Sequence, residues 1–259
     1  GASVKIAFER RLLMGSVHRI ALISDLHGNA IALREVLRSI ESRGVDEIVC
    51  LGDVATLGVA PGEVIDVLQQ MGCLCITGNH DEYLLDTNLS NSHNDVMLLR
   101  EAIDWAREEL SRDQLDFVRG FVESVELPLG DEHRLKLFHG SPSSNMVDLL
   151  SDTPSDVFDS QLGPERSLVM AGGHTHIQML RQHRGTLVVN PGSVGAPFRE
   201  FPNGGPPKIL DHAEYATIEA CGADVSVVLH HVALDGTELA RAASESPNPM
   251  SAELAAVYA

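Results

Sequence analysis

The chain has 259 residues, 44% of them hydrophobic and 22% charged, ordinary proportions for a globular protein with a sizeable core. With 19 Lys+Arg against 37 Asp+Glu, its formal net charge of -18 excludes broad electrostatic capture of nucleic acid or anionic membrane. No segment reaches the unbroken apolar length of a membrane helix, and the N-terminus has no long apolar run before a small-residue cleavage site, so a cytoplasmic location is expected.

Residues 1–16 have no obvious partner segment and are expected to be an N-terminal extension, either frayed or added as an edge strand. From Val17 the pattern becomes regular. Val17 to Ser24 reads as a buried strand, and Leu33, Val36, Leu37 and Ile40 then recur at helical spacing before Gly44. Glu47 to Leu51 is a second strand. Pro61, well placed at a helix start, opens a second helix that ends at Met71-Gly72. Cys73 to Thr77 is a third strand. Strand, helix, strand, helix, strand at this pitch predicts a parallel α/β sheet. Two helices follow, Val96 to Leu110 and Ser111 to Phe121, the second opened by a capping box at Ser111-Arg112-Asp113-Gln114. The second half is mostly strand: 122–127, 134–138, 167–171, 179–183, 186–189, 215–220 and 224–232. It is expected to form a second sheet packed on the first. Segments 141–156 and 195–212 read as Pro/Gly/Ser-rich loops. Residues 17–243 form one domain on this reading, and 244–259 resemble a poorly fixed tail in which 251–257 can make a short helix. Cys50, Cys73, Cys75 and Cys221 lack the spacing of zinc or redox pairs and read as free thiols of a reducing compartment.

The chemistry lies just beyond the strands. The first strand is followed by Asp25-Leu26-His27, the second by Asp53, and the third by Asn79 and His80. A later strand is followed by His139, and another by Gly173-His174-Thr175-His176. In an extended backbone, residues i and i+2 share a side, so Asp25 and His27 are expected to address one point. Gly28 then permits a tight turn, and Asn29 suits the N-cap of the next helix. Ligands of open α/β sheets gather beyond the carboxyl ends of the strands, and here those ends carry carboxylates, imidazoles and an amide suited to divalent metal ions.

As an ordered set, Asp25-Leu26-His27, Gly52-Asp53, Gly78-Asn79-His80-Asp81, His139-Gly140 and Gly173-His174-Thr175-His176 resemble the motifs of the calcineurin-like metallophosphoesterases. Gly58-x-x-Pro61, His139-Gly140-Ser141-Pro142 and Asn190-Pro191-Gly192-Ser193 point to the smaller bacterial and archaeal phosphodiesterase branch. The resemblance extends from about Ile20 to Ala220. It implies an α/β fold organised as a four-layer α-β-β-α sandwich, two packed mixed sheets flanked by helices. It also implies two divalent ions bridged by Asp53, with Asp25, His27 and His176 on the first and Asn79, His139 and His174 on the second. Manganese is the expected metal, with iron, zinc and nickel as alternatives. A pair roughly 3.5–4 Å apart lowers the pKa of a bridging water and offsets phosphoryl charge, so attack by a metal-bridged hydroxide is implied.

By the same resemblance His80 faces the leaving group and assists its departure. Asp81 reads either as the carboxylate that orients His80 or as a helix-start acid favoured by the dipole. Arg199 is the candidate clamp for a phosphate oxygen, or else a solvated loop arginine. Of the histidines outside the motifs, His212 is the one placed to reach the site. The stretches after Asp53 and His80, Val54 to Gly58 and Asp81 to Leu85, contain no arginine, unlike those of the phosphoprotein phosphatases of this superfamily. A small phosphodiester or nucleotide-like substrate is therefore favoured. Dinucleoside polyphosphates and phosphoproteins remain alternatives, and a non-catalytic interaction scaffold is the rival from another class.

Overall fold

The computed structural model describes residues 17–93, 96–202 and 205–259, so the expected N-terminal extension lies outside the described residues. The chain opens with β1 (His18–Ile23), α1 (Ala30–Glu41), β2 (Glu47–Cys50), α2 (Pro61–Met71) and β3 (Leu74–Cys75). β1 pairs in parallel with β2, and β2 with β3, as the alternating pattern predicts. Asn29 caps α1 by accepting from the Ala32 N–H at 3.0 Å, and α2 ends on Gly72 at φ 62, where a side chain would be strained.

Two short helices come next, α3 (Asn79–Leu85) and α4 (Thr87–His93), and the two expected helices follow as α5 (Met97–Glu109) and α6 (Arg112–Arg119), the latter with its capping box at Ser111. The second sheet is built from β4 (Val125–Leu129), β5 (His133–Leu137), β6 (Val169–Ala171), β7 (Met179–His183) and β8 (Thr186–Asn190), in the order β4-β5-β6-β8-β7. Part of the expected loop 141–156 belongs instead to a helix, α7 (Ser155–Leu162). β9 (His212–Cys221) and β10 (Asp224–Ala233) do not join the second sheet, which corrects the expectation. β9 runs antiparallel to β1 with His18 opposite Ala220, giving the first sheet the order β10-β9-β1-β2-β3. The chain closes with α8 (Gly236–Glu245) and α9 (Ser251–Tyr258), so residues 244–259 are a packed helical segment rather than a loose tail.

Three apolar clusters give the layers their order. β1 is buried on both faces, Ile20 to Ile23 each being fully inaccessible, which its unbroken apolar run requires. Ala21 and Ile23 face α1 and α2, meeting Leu33, Val36, Ile65 and Leu68. Ile20 and Leu22 face the other sheet, meeting Leu135, Leu137, Val169 and Val189. The outer face of the second sheet packs Met170 and Val188 against Phe158 and Leu162 of α7. The result is the α-β-β-α sandwich, with β1, β2, β5 and β6 side by side in depth and their carboxyl ends opening toward one region.

α7 is fastened to the second sheet by charge as well as by packing. Asp159 lies 2.7 Å from His183 Nε2, 2.8 Å from an Arg184 nitrogen and 3.1 Å from one of Arg166. The His183 hydrogen bond, with the two guanidinium groups, holds the Asp159 carboxyl below the ordinary value of 3.8. A depressed folded pKa stabilises the fold above the unfolded value, and that contribution is lost as pH falls through the folded value. Asp159→Asn should therefore lower the Tm by a few degrees near neutral pH in circular-dichroism melts, with the gap closing as the pH is taken below 3.8. A gap that stays constant with pH would assign Asp159 a packing role only.

Candidate metal centre

The turns after β1 and β2 are zipped together by their backbones. The Asp25 N–H donates to Gly52 O at 2.9 Å, the His27 N–H to Asp53 O at 3.0 Å and the Gly28 N–H to Val54 O at 2.9 Å. The price is an unusual backbone: Asp25, His27 and Asp53 sit at φ 52, 43 and 57, and His174 and His176 at 69 and 58. Non-glycine residues in this region cost of order 1–3 kcal/mol each and persist where surrounding structure over-determines them. Asp25 and His27 thus converge through left-handed backbone at each of the two residues, not by the extended i, i+2 geometry expected from sequence. Close approach is secured by small neighbours. A Cβ on Gly173 would stand 2.6 Å from Asp25 Oδ2, and one on Gly78 would overlap Asp53 Oδ1.

The seven candidate ligands gather from five chain segments. Asp25, His27, Asp53 and His176 form one group, and Asp53, His139 and His174 a second, with the ligand atoms of each within 4.8 Å of one another. Asp53 belongs to both. His27 Nε2 and His176 Nε2 face each other at 3.0 Å. His176 Nε2 is 3.4 Å from Asp25 Oδ1, and His139 Nε2 is 3.4 Å from Asp53 Oδ2. Three inward atoms are buried without a hydrogen-bond partner: Asp25 Oδ1, Asn79 Oδ1 and His139 Nε2. Orphaned buried polar atoms of this kind each carry a desolvation penalty of about 1–3 kcal/mol, which coordination to cations would remove. The donor set, carboxylate, imidazole and amide, fits borderline-hard divalent ions.

The outer nitrogens of two of the imidazoles are held by backbone. His139 Nδ1 lies 2.6 Å from Leu51 O, and His176 Nδ1 2.7 Å from Ala196 O. A carbonyl can only accept, so Nδ1 carries the proton in both rings and Nε2 is turned inward. Phe198 stacks on His176 with centroids 4.3 Å apart. The electrostatics follow from burying charge among imidazoles. Burial works to raise Asp25 and Asp53, yet His176 beside Asp25 and His139 beside Asp53 outweigh it and hold both carboxyls below their usual range. Burial pushes His27 down to about 3 and His174 to about 4. It opposes protonation of His139 too, but the Asp53 carboxylate wins and raises that ring to about 10.

His80 stands at the edge of this group, its N–H donating to Asp53 Oδ1 at 2.9 Å and its Nδ1 2.9 Å from Thr56 Oγ1. Thr56 Oγ1 also lies 3.3 Å from His27 Nδ1. Thr56 was not among the residues expected from sequence; a hydroxyl 24 residues before His80 carries no motif signal. Asp81 does not orient His80, which corrects one of its two readings. Its carboxylate accepts instead from the N–H groups of Asp53 at 2.8 Å, Val54 at 3.0 Å and Gly78 at 2.8 Å. Those donors belong to the turns that follow β2 and β3 and have no sheet partner, so a buried acceptor is needed there. Burial, then the neighbouring Asp53, pushes Asp81 up to about 7. Asp148, also unforeseen, places Oδ1 3.4 Å from His174 Nε2.

Arg199 is not brought to the centre. It is exposed, its loop held by the Arg199 N–H donating to Lys208 O at 2.9 Å. His212 also stays away. It sits 3.2 Å from Glu214 and stacks on His231 with centroids 4.2 Å apart. Beside the centre opens a cavity of about 480 Å³, lined on one side by His27, Asp53, Asn79, His80, His174 and His176. Among the described residues, no helix is long and apolar enough to cross a membrane.

Comparison with known proteins agrees with this architecture. The chain is 30% identical over 200 residues to an uncharacterized protein, MJ0912, of Methanocaldococcus jannaschii, covering 69% of this chain and 76% of that one. A metallophosphoesterase from Sphaerobacter thermophilus superposes with a TM-score of 0.69 at 21% identity, over 93% of this chain and 100% of that one. The hypothetical protein PH1004 of Pyrococcus horikoshii superposes with a TM-score of 0.71 at 19% identity, over 85% and 90% of the two chains. The family model of the calcineurin-like phosphoesterase superfamily domain matches residues 19–205, well over half of the chain, and the protein belongs to that superfamily.

Proposed function

We propose that this protein is a dinuclear-metal phosphoesterase that hydrolyses phosphodiesters, with His80 Nε2–H assisting the leaving oxygen by donating a hydrogen bond to it. The observation that carries the reading is the buried Asp53 carboxylate shared by two ligand groups, beside inward atoms that lack a hydrogen-bond partner. Asp25, His27, Asp53 and His176 would hold one divalent ion and Asp53, Asn79, His139 and His174 the other. When bound, such a pair supplies Lewis acidity that offsets phosphoryl charge and makes a water nucleophilic near neutral pH. Manganese, which accepts this mixed oxygen and nitrogen set, is the first metal to test.

The protein's own contribution to proton transfer follows from Thr56. For His27 to direct its Nε2 lone pair inward, its Nδ1 must carry the proton and donate to Thr56 Oγ1. The Thr56 hydroxyl is then free to donate to His80 Nδ1. That leaves His80 with its proton on Nε2, as a donor toward the cavity. One hydroxyl thus couples the tautomer of a ligand to the tautomer of the residue at the leaving group. Asp81 acts one layer behind, fixing the backbone of Asp53 and Gly78 rather than touching a substrate. The cavity beside His80 has no lysine or arginine in its lining among the described residues, so nothing there clamps the second charge of a phosphomonoester. A singly charged diester needs no such clamp, which supports the diester over the monoester.

Purified protein loaded with manganese should hydrolyse bis-p-nitrophenyl phosphate faster than p-nitrophenyl phosphate, and chelation should abolish both activities. Absence of divalent metal after dialysis against manganese, measured by elemental analysis, would refute the proposal. His80→Ala should lower kcat by about 10²–10³-fold, the usual cost of removing a hydrogen-bond donor to developing charge, while retaining bound metal. Asp53→Asn should lose metal from the site. Thr56→Val should lower kcat by roughly 10–100-fold, the typical effect of losing an outer partner, with KM nearly unchanged. Wild-type kcat in Thr56→Val would remove the hydroxyl from the proton path.

A further inference from the structure

The cavity beside the metal centre has a second wall that contributes no ligand. α8 and α9 form an antiparallel hairpin, and Met250, Leu254 and Tyr258, spaced by four along α9, turn one face into the cavity next to Leu239 of α8. The opposite rim is closed by Leu57, Phe198 and Ile209. The hairpin is tied down rather than draped. Asn248, almost fully buried, donates to Leu57 O at 2.9 Å and Gly58 O at 2.8 Å, while its Oδ1 accepts from the Met250 N–H at 2.7 Å. The Tyr258 phenol, pushed up to about 12 chiefly by burial, donates toward Gly195 O at 3.4 Å. All of α8 and α9 lies beyond residues 19–205, the span matched by the superfamily domain.

The chemistry of the wall is distinctive. No lysine or arginine lines the cavity among the described residues, and its one charged group away from the ligand side is the carboxylate of Glu63. The chain as a whole carries -18. A polyphosphate chain or a stretch of nucleic acid placed here would meet no cation and one anion. An apolar group would instead leave water for a surface of alkyl and aromatic side chains, and a volume of about 480 Å³ is in the range that holds a drug-sized ligand. His80 lines the same cavity as the hairpin residues, so an ester group beside it has this space to enter.

We propose that the α8–α9 hairpin builds a binding site for an uncharged, apolar alkyl or aryl group esterified to the phosphate, which makes the substrates amphiphilic diesters and not polyphosphates. This rests on the phosphodiesterase reading for its headgroup. The site itself depends only on the cavity. It also assigns Leu239, Leu254 and Tyr258 a part in specificity without any part in the chemistry.

The test is isothermal titration of n-alkyl phosphates, methyl through octyl, and of inorganic tripolyphosphate into the manganese-loaded full chain. Affinity should rise roughly two- to fourfold with each added methylene until the cavity is filled, as expected for burial of hydrocarbon. Tripolyphosphate should bind no better than methyl phosphate. Leu254→Glu should flatten the chain-length dependence, and Ala243→Trp, which fills the cavity from α8, should shorten the optimal chain. Should either variant fail to fold, the wild-type series decides alone. A flat series, or tighter binding of tripolyphosphate than of octyl phosphate, would overturn the proposal. Failure of the phosphodiesterase reading would look different: chain-length-dependent binding with no turnover of any diester.

Discussion

Two carboxylates with almost no access to water, Asp25 and Asp53, set the terms for everything around them. Unpaired anions at such depth are expensive, and the molecule surrounds them with imidazoles drawn from three later segments of chain. His139 and His176 answer that charge, and their outer nitrogens are pinned to backbone carbonyls so that the inner ones cannot turn away. The strained turns at Asp25, His27, Asp53, His174 and His176 follow from the same demand, because five side chains converge on a small volume only if the backbone leaves the strands abruptly. The hydrogen bonds between the turns after β1 and β2 hold that strain in place.

The sandwich exists to keep those turns in register. β1 is sealed between a helical layer and the opposite sheet, so its end cannot shift without breaking two apolar clusters at once. The second sheet brings His139 after β5 and the His174–His176 pair after β6 to the same level. Its parallel pairing of β5 with β6 does for one side of the centre what β1 with β2 does for the other.

Much of this was legible in the sequence because the chemistry sits directly after apolar runs. A polar residue that ends a buried strand is conspicuous, and five such endings in order carried both the family and the ligand candidates. Other features left no such mark. β9 reads as an ordinary strand, and nothing in its composition says that it returns to β1 instead of extending the second sheet. Thr56 is one threonine among several, important only because His27 and His80 happen to flank its hydroxyl. Asp81 follows His80 directly, and adjacency favoured the wrong partner: α3 turns its carboxylate back toward the turn after β2. The short helix at 251–257 was legible, but its packing as part of a closing hairpin was hidden for a different reason. α9 has almost no amphipathic contrast, since it covers a cavity instead of a core and so keeps apolar residues without a polar face opposite them.

Asn248 connects two parts of the chain with separate histories of constraint. On one side of its hydrogen bonds lies the loop after β2, which follows the candidate ligand Asp53; on the other lies a hairpin that supplies no candidate ligand. Because the bonds run to main-chain carbonyls, they are indifferent to which side chains the loop or the hairpin carries. The helices can therefore exchange residues while the backbone around the candidate metal centre stays as it is. A fold arranged in this way lets one wall of the cavity be rebuilt without moving the other.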